Sequence, residues 1–474
     1  MEYEICIGLE THVQLRTQSK MWCACPNEFG AEPNTNVCPV CLGMPGVLPV
    51  ANDEALRLTV LTGYLLNCRI PPLAKFDRKN YFYPDVAKNY QITQLPFPST
   101  IEGSVDFESG GELHTVRITR AHLEEDVGKN FHFDRSSGVD FNRAGVPLLE
   151  IVSEPDLRSA DMAYDYLNAL KSILSYGGVS DCDMEKGMVR CDVNISVRPF
   201  GQEELGAKVE IKNMNTFSGA RRAIQYESQR QIKAIENNEP IVQETRRWED
   251  VGGITESMRS KEYAHDYRYF PDPDLMPFAP TEAWLDEVKS RVVELPLARK
   301  RRFLADYQLP EGDAETFVAD VPLGDLFEAA VKAGGSPKAL ANWIINNLRA
   351  KLTESETSLD DLKIKPTHFS ELVGLVDSGK ISSKIAQEVF NAMFDSGTAP
   401  ARIVDEKGLS QMSDTGALEA ICDQVIQENP KSADDFRGGK EAALNFLKGQ
   451  VMKLTRGKAN PGMVGDLLAK KLQG

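Results

Sequence analysis

Cys23, Cys25, Cys38 and Cys41 form a C-x-C pair followed by a C-x-x-C pair inside residues 21–46. Reduced thiols at this spacing suit one tetrahedral zinc ion, with the residues between the pairs forming the loop that the metal closes. The alternative is four idle thiols. Disulfides would require an oxidising compartment, and Met1-Glu2-Tyr3-Glu4 shows neither the basic stretch nor the apolar run of a signal peptide. The expectation is therefore a cytoplasmic protein whose thiols stay reduced. Four thiolates fill the coordination sphere of zinc, so a zinc here is structural and the chemistry must lie elsewhere. Cys6, Cys68, Cys182, Cys191 and Cys422 are scattered and read as small buried apolar residues.

Carboxylates placed inside strand-like segments are the second signal. Glu10 and His12 stand two apart in "GLETHVQL", so both project from one face of a strand. Glu124, Glu125 and Asp126 end "RITRAHLEED", Glu150 follows the apolar "GVPLLE", and Asp192 and Asn194 share a face in "RCDVNIS". Oxygen-rich groups with one imidazole suit magnesium or manganese better than zinc. Cations and aromatics cluster nearby: Arg78 and Lys79 in "FDRKNYFYPD", Arg246 and Arg247 in "ETRRWED", and Arg259, Lys261 and Arg268 in "SMRSKEYAHDYRYFPDPD". A divalent metal flanked by cations is what phosphoryl transfer uses. Structural ion pairing is the competing reading for each of these charges taken singly.

Two other patterns lead away from common chemistry. "GLVDSGKIS" at 374–382 nearly matches a phosphate-binding loop, but Ile381 occupies the hydroxyl position and the stretch follows a helix. Gly379 reads as a helix-ending glycine and Ser382 or Ser383 as the next cap. No Ser/Lys amidase stretch appears, and no Cys with a His partner announces a glutaminase. If nitrogen is transferred, another protein releases it.

The elements that must position these residues fall into three parts. To about residue 280, short β-branched runs predict strands over "YEICIGLETHVQL", "LHTVRITRAHLEED", "PLLEIVSE", "GMVRCDVNISVRP" and "AKVEIKNMN", interrupted by two helices, "SADMAYDYLNALKSILSYGG" and "SGARRAIQYESQRQIKAIENNEP". Strands grouped in this way predict an α+β domain with antiparallel sheet. After the proline-rich "FPDPDLMPFAP" the texture is helical, with a second boundary near Gly397 to Pro400. The expected domains are 1–292, containing the knuckle at 21–46, then 293–405 and 406–474. With 474 residues, 42% hydrophobic, there is ample material for several cores. No apolar run is long enough to span a membrane. The formal charge of −16 opposes sequence-blind adhesion to nucleic acid. Residues 448–474 nevertheless carry Lys448, Lys453, Arg456, Lys458, Lys470 and Lys471 against Asp466 alone. That patch could meet phosphates, or be ordinary solvated helix faces.

The ordered blocks "GLETHVQL", "CPVCLGMPGVLPVAN", "FDRKNYFYPD", "NYQITQ", "HLEEDVGK", "NRAGVPLLEIVSEPDLRS", "RCDVNISVRP", "EIKNMNTF", "QETRRWED" and "MRSKEYAHDYRYFPDPDL" resemble one family, the GatB component of the bacterial tRNA-dependent amidotransferase GatCAB. The tail "GQVMKLTRGKANPGMVGDLLAKKL" is similar too, so the resemblance covers essentially the whole chain. It implies a carbon–nitrogen ligase with glutamine as amido-nitrogen donor, working as a heterotrimer with the amidase component GatA and the small component GatC. ATP would phosphorylate the side-chain carboxylate of Glu on tRNA(Gln) or Asp on tRNA(Asn), and ammonia made from glutamine by the partner would displace phosphate. It also implies a cradle-shaped catalytic domain related to glutamine synthetase, a helical domain, and a small tail domain touching the tRNA body.

Carried onto this sequence, the resemblance gives Glu10, His12, Glu125 and Glu150 as magnesium ligands, with Glu124 and Asp192 as alternatives that strand alternation leaves open. It gives Lys79, Arg78, Arg246, Arg259 and Lys261 to the ATP phosphates or acyl phosphate, and Lys448, Lys453, Arg456 and Lys458 to tRNA. Val86-Ala87 stand where the family usually shows a proline. Two rival readings remain: a non-catalytic tRNA-binding scaffold built on the knuckle and basic tail, and a self-sufficient glutamine-synthetase-like enzyme acting on free amino acid.

Overall fold

A computed structural model describes residues 2–260, 266–410, 415–455 and 459–473. The chain divides into two compact units, Met1–Ala298 and Arg299–Gly474. The first is built on an eight-stranded sheet of β1 (Tyr3–Gln14), β4 (Thr100–Ser109), β5 (Glu112–Glu125), β8 (Pro147–Ser153), β9 (Val189–Pro199), β10 (Val209–Met214), β11 (Glu244–Glu249) and β12 (Ile254–Ser260). Across the sheet their order is β12-β11-β10-β9-β1-β8-β5-β4. β10 and β11 pair in parallel, and the other neighbours in this sheet are antiparallel. β2 (Asp77–Asn80), β3 (Tyr90–Thr93) and β13 (Phe270–Pro271) make a three-stranded sheet, and β6 (Lys129–Phe133) and β7 (Ser136–Asp140) a hairpin.

The sheet has one apolar and one polar face, as strand alternation dictates. Ile7, Leu9 and Val13 of β1, Leu149 and Ile151 of β8, and Val193 and Ile195 of β9 enter one buried core. Three helices supply much of the other side of that core: α1 (Asp53–Leu65), α2 (Ala160–Tyr176) and α3 (Phe217–Glu236). Each is capped at its start, the side chains of Asn52, Ser159 and Thr216 accepting from the backbone N–H of Ala55, Met162 and Gly219. Along α2, Tyr166, Leu170, Ile173 and Leu174 recur at helical spacing and are buried. Helix α1 is absent from the sequence-based expectation. Nine of its thirteen residues are buried, so it lacks the polar face that marks a helix in a pattern search. A short helix, α4 (Glu282–Lys289), follows.

The second unit is helical and holds two separate apolar clusters, one spanning Phe303 to Val404 and one spanning Leu418 to Leu472. The near-match to a phosphate loop is a helix junction, with Gly379 in the left-handed region at φ 69° and the Ser382 side chain accepting from Ile385 N–H. Arg299 is buried and its guanidinium donates to Glu328, which also takes a hydrogen bond from Arg302. A Cβ on Gly324 would stand 2.6 Å from Phe317 O and 3.1 Å from Arg299 Nη2, so glycine makes room for this pair. Burial pushes the Glu328 carboxyl up, but Arg302 and Arg299 outweigh it and hold the group below the usual carboxylate range. A carboxyl depressed in the folded state stabilises above its unfolded pKa and ceases to do so as pH falls through the folded value. Glu328→Gln should therefore destabilise the second unit by about 3 kcal/mol at neutral pH. Calorimetry should find the difference shrinking in acid, and a penalty independent of pH would contradict the assignment.

Candidate active site on the polar sheet face

Cross-strand register gathers the acids. On β1, His12 lies opposite Glu150 of β8 and Arg190 of β9, while Glu10 lies opposite Asp192. On the far side of β8, Glu150 lies opposite His122 of β5. A bulge in β5 between Ile118 and Arg120 reverses the strand's alternation. Val116 and Ile118 point into the core before it and Ala121 and Leu123 after it, so His122 and Glu124 turn to the polar face.

Two groups of potential ligand atoms result, each with all members within 4.8 Å of one another: His12, Glu124 and Glu150; and Glu10, Asp192 and Glu210. In the first, His12 Nε2 lies 3.3 Å from Glu150 Oε2 and 3.6 Å from Glu124 Oε1. Burial raises Glu124 to about 7, and the neighbouring Glu150 adds to the effect. Burial also pushes Glu150 up, but the hydrogen bond from His12 and the charges of His12 and Lys79 overcome it and hold it below the usual carboxylate range. Burial holds His122 down at about 4, so its ring is neutral, and Arg120 Nε donates to its Nδ1 at 3.3 Å. Burial would lower His12, but its hydrogen bond to Glu150 and the charges of Glu124, Glu150 and Asp192 more than compensate and hold it above its usual value. Two carboxylates and an imidazole converging in this way form an oxygen-rich donor set suited to a magnesium-like cation.

In the second group Asn194 Nδ2 donates to Glu10 Oε1 at 2.8 Å and Thr245 Oγ1 to Glu210 Oε2 at 2.8 Å. The Lys212 ammonium pairs with Asp192 and lies 3.2 Å from Glu210 Oε1. Burial would lower Lys212, but Asp192 and Glu210 more than compensate and hold it charged. Sequence reasoning misses Glu210 and Lys212. The signal is nevertheless present, because "VEIK" alternates as strictly as "GLETHV" and places Glu210 and Lys212 on one face.

Glu125 goes elsewhere. It leaves β5 on the side opposite Glu124, pairs with Lys88, and accepts from Ile92 N–H at 2.8 Å. The structure thus brings Glu124, not Glu125, to His12 and Glu150. The loop carrying Val86-Ala87 is closed by backbone bonds from Val86 N–H to Tyr83 and Asn89 N–H to Val86, which present Lys88 to Glu125.

The expected cations separate by the same alternation. Lys79 lies 5.1 Å from the Tyr267 ring centroid. Burial would lower it, but Glu124, Tyr269 and Glu150 together hold it above its usual value, so it shares the field of the first trio. Its neighbour Arg78 points away, pairing with Asp272 at 2.7 Å and Asp274 at 3.0 Å. Arg246 lies opposite Ile211 of β10 and so projects on the helix-covered face, where it meets Glu244, Thr255 and the buried Glu227 of α3. Arg259 of β12 pairs by backbone with Thr245 of β11, and its side chain and all of Lys261 lie outside the described residues. In the tail, Lys453 is exposed and the Lys448 stem lies over Gly465, while Arg456 and Lys458 lie outside the described residues.

The four knuckle cysteines offer Sγ atoms within 4.8 Å of one another, with Cys38 and Cys41 at 3.9 Å. A zinc tetrathiolate has sulfur–sulfur edges of about 3.8 Å, whereas a disulfide needs about 2 Å. The crowding drives the thiols apart in acidity, a hydrogen bond between Cys23 and Cys41 raising the former and lowering the latter. The loop between the pairs is fastened to the end of β7 and the segment after it, Asn34 N–H donating to Asp140 and Asn36 N–H to Asn142.

The GatB/GatE catalytic domain family matches residues 5–286, and the GatB domain family matches residues 325–472. This chain belongs to the GatB family. Relatives named as the B subunit of aspartyl/glutamyl-tRNA(Asn/Gln) amidotransferase include that of Thermodesulfovibrio yellowstonii, 50% identical over 474 residues with 100% of both chains covered. The protein of that name from Carboxydothermus hydrogenoformans is 50% identical over 476 residues, covering 99% of each chain. That of Persephonella marina is 49% identical over 474 residues, covering 100% of each. The GatB/GatE match spans both carboxylate groups and the knuckle, so every residue of the polar face described above lies in the family's catalytic domain.

Two substitutions on adjacent GatB residues should behave oppositely. Glu124→Gln removes a crowded buried carboxyl and is expected to leave thermal stability unchanged or raised while weakening Mn2+ binding followed by electron spin resonance. Glu125→Gln strands the Lys88 ammonium and should destabilise by about 3 kcal/mol. The reverse pattern would place Glu125 in the cation site. Cys38→Ser combined with Cys41→Ser should release zinc, as metal analysis would read, and lower the unfolding temperature without changing Mn2+ binding.

Proposed function

We propose that this chain is the GatB component of a tRNA-dependent amidotransferase, and that its polar sheet face activates and amidates an amino acid still esterified to tRNA. The observation that carries the reading is the His12–Glu124–Glu150 trio on the polar face of a chain whose whole length aligns with relatives named for that enzyme. The substrate is Glu on tRNA(Gln), Asp on tRNA(Asn), or both. The enzyme class is a carbon–nitrogen ligase taking its amide nitrogen from glutamine.

A carboxylate resists ammonia because it is anionic and its oxygen is a poor leaving group. ATP resolves both difficulties: a carboxylate oxygen attacks the γ-phosphorus, ADP departs, and ammonia then adds to the acyl carbon as phosphate leaves. His12, Glu124 and Glu150 are the residues that would hold one magnesium ion, and Glu10, Asp192 and Glu210 a second. Magnesium bound there supplies charge neutralisation for the transferred phosphoryl group. Lys79 adds a fixed positive charge beside the first trio, and Arg120 orients the neutral His122 behind Glu150. The chain carries no amidase nucleophile system, so ammonia comes from a glutaminase partner, which with a small third protein makes the heterotrimer GatCAB. A closed path for ammonia keeps water from competing for the acyl phosphate.

The glutamine-synthetase-like cradle, the helical domain at 293–405 and the tRNA-touching tail at 406–474 complete the proposal. Exposed Lys453, with Lys448, Arg456 and Lys458, supplies the tail's phosphate contacts, and the site of action is the cytoplasm, where charged tRNA is found. Among the described residues no helix is long and apolar enough to cross a membrane. In the assembled complex, Glu150→Gln should abolish ATP-dependent amidation of mischarged tRNA while the partner's glutaminase activity survives. Retained amidation in that variant, with loss only on deleting 406–474, would favour a scaffold. ATP turnover independent of tRNA would favour an enzyme acting on free amino acid.

A further inference from the structure

Lys20 is 0% exposed and among the largest fully buried side chains of the protein. Its backbone N–H donates to Cys25 O at 3.0 Å, so the C-x-C segment itself fixes its position. From there its ammonium reaches Cys41 Sγ at 3.8 Å and Phe141 O at 3.3 Å. Among the described residues no carboxylate pairs with it. Glu125, which also borders Gly145, is taken up by Lys88.

A buried ammonium is unfavourable unless an opposite charge accompanies it. Four neutral thiols would provide none. Four thiolates on one zinc ion carry two net negative charges, and a cation donating N–H to one sulfur offsets part of that excess. We propose that Lys20 is the charge partner of the cysteine site, a positioning residue whose ammonium donates to Cys41 Sγ and tightens the hold on zinc. The proposal rests on the reading of the four cysteines as a zinc site. The bond from Lys20 to Phe141 O also ties the metal side of the knuckle to the segment that Asn34 and Asn36 grip from the loop side. Lys20 thus couples metal occupancy to the seating of the loop on the catalytic unit.

The test uses the full-length protein, with zinc affinity measured by chelator competition and the thiolate-to-metal charge-transfer band recorded after cobalt replacement. Lys20→Met keeps the apolar stem and removes the charge. It is expected to weaken zinc binding about 10- to 100-fold, the range for loss of an outer-sphere partner, and to shift the cobalt band, which a packing defect alone would not do. A folded Lys20→Met variant with wild-type affinity and an unmoved band overturns the proposal. Should that variant not fold, Lys20→Gln is read by the same two criteria, and wild-type behaviour there overturns it equally. Wild-type protein that binds neither zinc nor cobalt would instead remove the zinc site itself, which distinguishes the two failures.

Discussion

The register of β1 against β8 and β9 is the constraint on which the rest depends. Side chains alternate along a strand with a period of two, so a slip of one residue would send Glu10 and His12 into the helix-packed core and Leu9 and Val13 to the polar face. The core forbids that slip, because Ile7, Leu9, Val13, Leu149, Ile151, Val193 and Ile195 are all buried together against the helices. Hydrophobic burial on one face thus fixes, without any contact to them, the positions of the acids on the other. The β5 bulge extends the same logic. By reversing alternation after Ile118 it lets an otherwise regular strand bring His122 and Glu124 to the face occupied by Glu150.

Collecting Glu10, Glu124, Glu150, Asp192 and Glu210 on one face is unfavourable to folding in itself, and the structure shows how the repulsion is contained. Lys212 sits between two of these acids, Lys79 stands in the field of two others, and Glu124 keeps a proton to about neutral pH. Under the proposed function, a cation would relieve what repulsion remains among these acids. Asp126 shows the contrast. It is only one residue beyond the Glu124–Glu125 pair, yet Arg190 at 2.6 Å, Arg143 at 3.6 Å and Gln14 at 3.0 Å already satisfy it. Asp126 thus serves to hold strands together, with its guanidinium and amide partners all drawn from neighbouring elements.

The acids are legible in the sequence because polar residues interrupt otherwise apolar strands, which is how Glu10, His12, Glu150 and Asp192 stand out. The choice of Glu124 against Glu125 stays open there, since it depends on a bulge at Thr119 that shifts the alternation. Ala121 and Leu123 carry the answer, because apolar residues at odd positions after the bulge require Glu124 to face outward. Arg78 and Arg246 resemble catalytic cations because charge clusters look alike whether or not they are paired. Only the tertiary partners distinguish them, and Asp272 and Asp274 lie far along the chain from Arg78, while Glu227 meets Arg246 from a separate helix. The antiparallel-rich sheet followed by helices is legible from strand grouping. Helix α1 is hidden by burial on nearly all sides, and Glu210 lies in a strand whose pattern speaks first for its fold and only then for its acid.

The two kinds of candidate metal group follow from opposite designs. The cysteine knuckle brings four thiols from a loop whose ends are pinned by Asn34, Asn36 and Lys20, and four sulfurs exhaust a tetrahedral ion. Each acidic group brings three side chains from rigid neighbouring strands, and a hard six-coordinate cation held by three residues keeps positions for phosphate oxygens or water. A closed site can add only folding free energy, while an open one on a stiff support can bind and orient a reacting group. Under the proposed function, that difference in coordination gives stability to the loop and chemistry to the sheet, because strands would hold open sites to the precision that group transfer demands.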